Sequence, residues 1–226
     1  MPLDLTPPVL CLVTDRMRLA GGDRGDPEPL RALIGMAAAA GIDLVQIREP
    51  GLGDRALGSL VARAVESTRG TRTRVLVNDR VDVALAHGAA GVHLKGGSFS
   101  AARVRASTPA GWIVGRSIHG LDEGMRVTAA GGLDYVLLGS VFETASKPGR
   151  PPLEAGALRG AAGTLPVPVL AIGGITLERV PEVAASGAAG LAAIGLFAAL
   201  GGAPPAELRR LVDEIRSAWA AGRRAS

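Results

Sequence analysis

Eight short apolar runs, alanine-rich amphipathic segments between them and a length of 226 residues predict an α/β fold closed as a single (β/α)8 TIM barrel. The runs are nearly continuous in apolar character, as parallel strands are when other layers cover both faces. Barrels of this type use about 200–250 residues. An open, doubly wound sheet shares the alternation. The count of eight, and a chain with no linker or low-complexity stretch, favour one barrel domain over residues 1–226.

The elements follow in order. The first strand is VLCLV (9–13), and RLAGGDRGD (18–26) reads as a loop, with its action as a lid left open. The helix PEPLRALIGMAAAAG (27–41) stops at glycine, which accepts the left-handed conformation that ends helices. Further strands are DLVQIR (43–48), RVLVN (74–78), AGVHL (90–94), WIVGRS (112–117), DYVLLG (134–139), PVLAIG (168–173) and GLAAIG (190–195). LERVPEVAASG (177–187) is a helix with Thr176 as its candidate N-cap. In the last helix Leu208, Leu211, Val212, Ile215 and Trp219 share one face at helical spacing.

Composition narrows the function classes. At 47% hydrophobic and 20% charged residues, the chain can bury a core and is not a disordered segment. No apolar run reaches the ~20 residues of a membrane span, and no basic region precedes the first apolar stretch, so neither a membrane anchor nor a signal peptide is expected. A single cysteine, Cys11, excludes an internal disulfide and fits a cytoplasmic protein. A net charge of +4 and 3% aromatics offer neither a basic field nor stacking platforms, so nucleic acid is not an expected partner. Assembly as a homo-oligomer is left open. Of 25 basic residues only Lys95 and Lys147 are lysines.

In such a barrel the active site lies at the C-terminal ends of the strands. Strand 2 brings Gln46, Arg48 and Glu49 there, and strand 3 brings Asn78, Asp79 and Arg80. Strand 4 brings His93 and Lys95, and strand 5 brings Ser117 and His119. Glu143, Thr144, Ser146 and Lys147 follow strand 6. Gly173 and Gly174 after strand 7, with Ile194 and Gly195 after strand 8, form a candidate phosphate site, because glycine lets backbone N–H groups approach a phosphate closely. Of the three histidines, His87 precedes a glycine at a helix end and reads as a cap, while His93 lies inside a strand and reads as a barrel-lining ring. His119 alone stands at a strand end beside a loop, where it is either a proton-transfer catalyst or a packed ring. No histidine pair has ligand spacing and there is no CxxC, so no transition-metal site is expected.

Several segments, in order along nearly the whole chain, resemble the thiamine phosphate synthase and TenI superfamily: LVTD, VQIRE, NDRVDVALAHGAAGVHL, GRSIH, DYVLLGSVFETASKPG and PVLAIGGIT. The resemblance implies a (β/α)8 barrel of thiamine biosynthesis. Synthases join a pyrimidine diphosphate to a thiazole phosphate with magnesium on the pyrophosphate. Their pattern resembles Q-x-R-E-K, N-D and H-L-G-Q-x-D. Gln46, Arg48, Glu49, Asn78 and Asp79 fit it, but Pro50 replaces the lysine and Ser98 stands where the second aspartate would be. A hydroxyl is a poor substitute for a carboxylate on a hard cation. GGSFS, GRSIH and VFETASKPG are more similar to TenI-like proteins. That likeness implies a thiazole tautomerase with His119 as acid and base, converting the exocyclic-alkene thiazole carboxylate phosphate to its aromatic isomer. Gln46, Arg48, Asn78, Ser117, Thr144, Ser146 and Lys147 are the expected substrate-binding side chains, Arg48 and Lys147 being the candidates for the carboxylate. No cofactor is expected; Mg2+, with Asp79 as a ligand, enters only if the chain is a synthase. A non-catalytic TenI-like regulator is the third reading.

Overall fold

A computed structural model describes residues 6–19, 28–144, 149 and 151–225. Eight parallel strands close into a barrel in sequence order: β1 (Val9–Val13), β2 (Leu44–Ile47), β3 (Arg74–Asn78), β4 (Gly91–Leu94), β5 (Ile113–Ile118), β6 (Tyr135–Leu138), β7 (Val169–Ile172) and β8 (Gly190–Ala193). The seam is β1 on β8, with Cys11 opposite Ala192. Around it lie α1 (Glu28–Ala40), α2 (Asp54–Ser67), α3 (Val81–Ala86), α4 (Ala101–Ala106), α5 (Leu121–Ala129), α6 (Ala157–Thr164), α7 (Val180–Ala185), the single turn α8 (Gly195–Ala198) and α9 (Pro205–Arg224). No described helix is long and apolar enough to cross a membrane.

Side chains alternate along each strand, and this splits the core in two. Outward residues such as Leu10, Leu12, Val45 and Val77 pack under the helices. Inward residues, among them Val9, Cys11, Leu44, Leu76, Ile113 and Leu170, fill the barrel. Burial pushes the Cys11 thiol up to about 12, so it behaves as a small apolar side chain. Helix α9 buries Leu208, Val212, Ile215 and Trp219, the face its spacing predicts, with Leu211 at the edge. It lies so close to α7 that a Cβ at Gly222 would overlap the Pro181 carbonyl.

The end of the barrel opposite the mouth is tied by ions. Asp43, at the start of β2, accepts from the Leu10 N–H at 2.9 Å and pairs with Arg72 and with Arg216 of α9. His87 caps α3, as expected, and its ring packs over Gly58 of α2.

The structure corrects some boundaries. β2 stops at Ile47, leaving Arg48 and Glu49 in the loop, and β8 stops at Ala193, so Ile194 and Gly195 start α8 rather than end a strand. Thr176 precedes a 3-10 turn (Leu177–Arg179) but makes no capping bond to the backbone; its hydroxyl bonds Glu178 instead. Residues 20–26 of the first loop lie outside the described residues.

Candidate active site

A cavity of about 700 Å³ opens at the C-terminal ends of the strands. Gln46, Arg48, Asn78, Ser117 and His119 line one side of it. Thr144, Gly173, Gly174, Ile194 and Gly195 line the other. Ser146 and Lys147 lie outside the described residues.

The floor is built from inward-facing polar side chains of neighbouring strands. Gln46 Nε2 donates to Asn78 Oδ1 at 3.0 Å, joining β2 to β3. Asn78 is in register with His93, His93 with Gly115, and Gly115 with Tyr135. Buried His93 contacts Tyr135 Oη at 3.0 Å through Nδ1 and Ser117 Oγ at 2.8 Å through Nε2. Burial, with Arg116 nearby, lowers its pKa to about 3, so the ring is neutral. His93 is thus the barrel-lining ring its strand position predicts.

His119 follows β5 and is exposed at the mouth. Its Nδ1 lies 2.9 Å from the Gly139 carbonyl oxygen. A carbonyl only accepts, so Nδ1 carries a proton and the neutral ring keeps its lone pair on Nε2. The backbone N–H of His119 donates to Glu123 Oε2 at 2.8 Å, fixing the start of α5 on the strand end.

Asp79 follows β3 with φ of 61°, in the left-handed region that aspartate tolerates better than most residues. Its Oδ2 is 2.6 Å from Lys95 Nζ, and Ser98 Oγ donates to its Oδ1. Arg116 of β5 holds the loop carrying both partners, donating to the carbonyls of Gly96 at 2.9 Å and Phe99 at 3.0 Å. These residues do not fit magnesium. One carboxylate is already engaged at both oxygens, an ammonium sits against it, and the position for a second carboxylate is a hydroxyl. Among the described residues no group of three or more His, Cys, Asp or Glu could hold a metal.

The loop after β7 needs its glycines for packing as well as for access. Gly173 and Gly174 have φ of 102° and 65°, and a Cβ on Gly174 would overlap the Glu143 carbonyl oxygen. Arg179 Nη1 donates to the Gly174 carbonyl at 2.7 Å while its guanidinium stacks 4.6 Å above the Phe142 ring. Gly195 has open space where a Cβ would go.

Sequence reasoning missed Arg18 and Arg179, cations that also line the cavity. An arginine just beyond GGIT, at a barrel mouth, was the available signal. Glu49 turns out to be structural. Buried beside the mouth, it accepts from the Arg16 N–H at 3.1 Å and pairs with the Arg16 guanidinium at 3.3 Å.

Fold and site together define a (β/α)8-barrel enzyme with a polar mouth and an imidazole at its edge. Residues 10–197 match the family model described as thiamine monophosphate synthase. The thiamine-phosphate synthase of Methanoculleus marisnigri is 38% identical over 189 residues, 83% of this chain and 89% of that one. That of Methanoregula boonei is 39% identical over 175 residues, 77% and 79% of the two chains. The solved thiamine phosphate pyrophosphorylase from Pyrococcus furiosus superposes with a TM-score of 0.77 at 26% identity, over 96% of this chain and 98% of that one. The chain belongs to the thiamine monophosphate synthase/TenI family, and its place is in thiamine biosynthesis.

Proposed function

We propose that the chain is a thiazole tautomerase, moving one proton within a thiazole carboxylate phosphate to give the aromatic ring. The observation that carries this reading is the His119 tautomer, with Nδ1 held by the Gly139 carbonyl and Nε2 left as a base at the cavity. His119 Nε2 takes the proton from the ring carbon that bears the carboxylate. The electron pair shifts through the ring, and the imidazolium returns a proton to the exocyclic alkene carbon. No atom is gained or lost, and one residue that reaches both carbons suffices. Backbone N–H groups at Gly173–Gly174 and Ile194–Gly195 hold the phosphate. Arg48, and Lys147 in our reading, hold the carboxylate, so both ends of the substrate are anchored against the base.

The relatives' names favour a second reading, thiamine-phosphate synthase, a transferase. Against it stand Pro50, Ser98 and the engagement of Asp79 by Lys95. One panel separates the two. The purified protein is given the thiazole carboxylate phosphate alone, then the thiazole phosphate with the pyrimidine diphosphate over a range of magnesium concentrations. We expect isomerisation in the first arm and negligible thiamine phosphate in the second at any magnesium level. Robust magnesium-dependent condensation overturns the proposal, and turnover in neither arm points to a binding protein.

The phosphate anchor is tested at Gly195, because the fold has room for a methyl group there. Gly195→Ala is expected to raise KM roughly tenfold with kcat little changed, since it obstructs an anchor remote from the chemistry. An unchanged KM places the phosphate elsewhere.

A further inference from the structure

Tyr135 lies one strand too far from His93 for an ordinary neighbour contact. Its phenol reaches across β5 because the intervening residue is Gly115, where a Cβ would overlap the Tyr135 ring. The glycine, the tyrosine and the histidine thus form one device, fully buried and leading to the wall of the cavity. Both ring nitrogens of His93 are engaged, Nδ1 with Tyr135 Oη and Nε2 with Ser117 Oγ. Tyr135 is 0% exposed, and His93 is the one hydrogen-bond partner of its hydroxyl among the described residues. A buried hydroxyl proton without an acceptor is costly, so the phenol donates to Nδ1. A neutral imidazole has one N–H. It therefore sits on Nε2 and donates to Ser117 Oγ.

The consequence falls on Ser117, which lines the cavity. With Oγ accepting from His93, the Ser117 hydroxyl proton is free to point at a ligand. In the opposite tautomer that proton is engaged by His93 Nε2, and the serine turns only lone pairs toward the cavity. An anionic ligand is attracted in the first case and repelled in the second. We propose that Tyr135 and His93 are positioning residues that set Ser117 as a hydrogen-bond donor to an anionic group of the substrate. The proposal rests on the reading that the cavity binds an anionic substrate, and it deepens that reading by naming the donor and what orients it. The lowered pKa of His93 keeps the arrangement intact across the neutral range.

The test has an arm that needs no substrate. Nitrogen-15 spectra of the free protein identify the neutral tautomer of each histidine. His93 is expected as the Nε2–H form, unchanged between about pH 5 and 8. An Nδ1–H form overturns the proposal whatever the enzyme's reaction. The second arm is a double-mutant cycle with the thiazole carboxylate phosphate as probe, read as its Kd. Ser117→Ala is expected to weaken binding roughly tenfold, the size of a hydrogen bond to a charged group. Tyr135→Phe removes only the hydroxyl and is expected to weaken binding several-fold in the wild-type background, with no further loss in the Ser117→Ala background. A Tyr135→Phe effect of the same size in both backgrounds assigns the tyrosine to packing alone and overturns the relay. Failure of the probe to bind wild-type protein, with the Nε2–H tautomer present, counts against the substrate assignment and leaves the orientation of Ser117 supported.

Discussion

His119→Asn lowers turnover of the thiazole carboxylate phosphate by roughly 10²–10⁴-fold, the range supplied by a positioned general acid and base. KM and melting temperature stay close to wild type. The side chain stands at an exposed strand end, and among the described residues its ring bonds the Gly139 carbonyl alone. The contact that fixes the start of α5 is made by the backbone N–H and survives the substitution. Measuring turnover and melting on one preparation decides the matter. Near-wild-type turnover removes His119 from the chemistry, and a large loss of stability makes it a packing residue.

The second large effect is on stability, and it comes from His93. An unfolded chain protonates histidine below about pH 6.5. Folded His93 resists protonation until about pH 3, because burial and Arg116 disfavour its charged form. Between those values the unfolded state binds more protons, so stability falls as pH falls, by up to ~1.4 kcal/mol per pH unit. Buried Asp43 and Glu49, both raised by burial, act in the opposite direction and soften the slope at the acid end. The melting temperature is therefore expected to drop steadily from pH 6.5 to 4, and His93→Gln, less stable at neutral pH, is expected to show a shallower drop. Parallel slopes for the two proteins would assign the acid sensitivity to other groups.

The strands were legible because continuous apolar runs can hardly do anything else in a chain of this length. β1 and β3 fall within the predicted bounds to the residue, and each of the other strands lies within a residue or two. Most of the mouth was legible for a related reason. A barrel sends its strand ends to one face, so polar residues there converge whatever their partners. Partnerships across the sequence were not legible. Glu49 reads like a site residue beside Arg48, yet its partner Arg16 lies 33 positions away and makes it structural. Lys95 stood out by its place after strand 4 and by its rarity, but its pairing with Asp79 depends on a loop path set by Arg116, which no periodicity reveals. The role of Gly115 depends on a tyrosine two strands from the histidine it serves.

That loop path has an evolutionary consequence. Arg116 grips the β4–α4 segment by the carbonyls of Gly96 and Phe99. Every residue type supplies a carbonyl, so the grip does not depend on which side chains the segment carries. Position 98 adds a tie of its own, the Ser98 hydroxyl accepting from the Lys95 N–H at 2.9 Å, but the Arg116 grip remains whatever side chains positions 95 and 98 carry. An ammonium with a hydroxyl, or a glycine with a carboxylate, can occupy the same backbone. Exchanging them changes what charge the mouth offers while the barrel beneath stays as it is, which gives one scaffold a short mutational route between chemistries that do and do not recruit a cation.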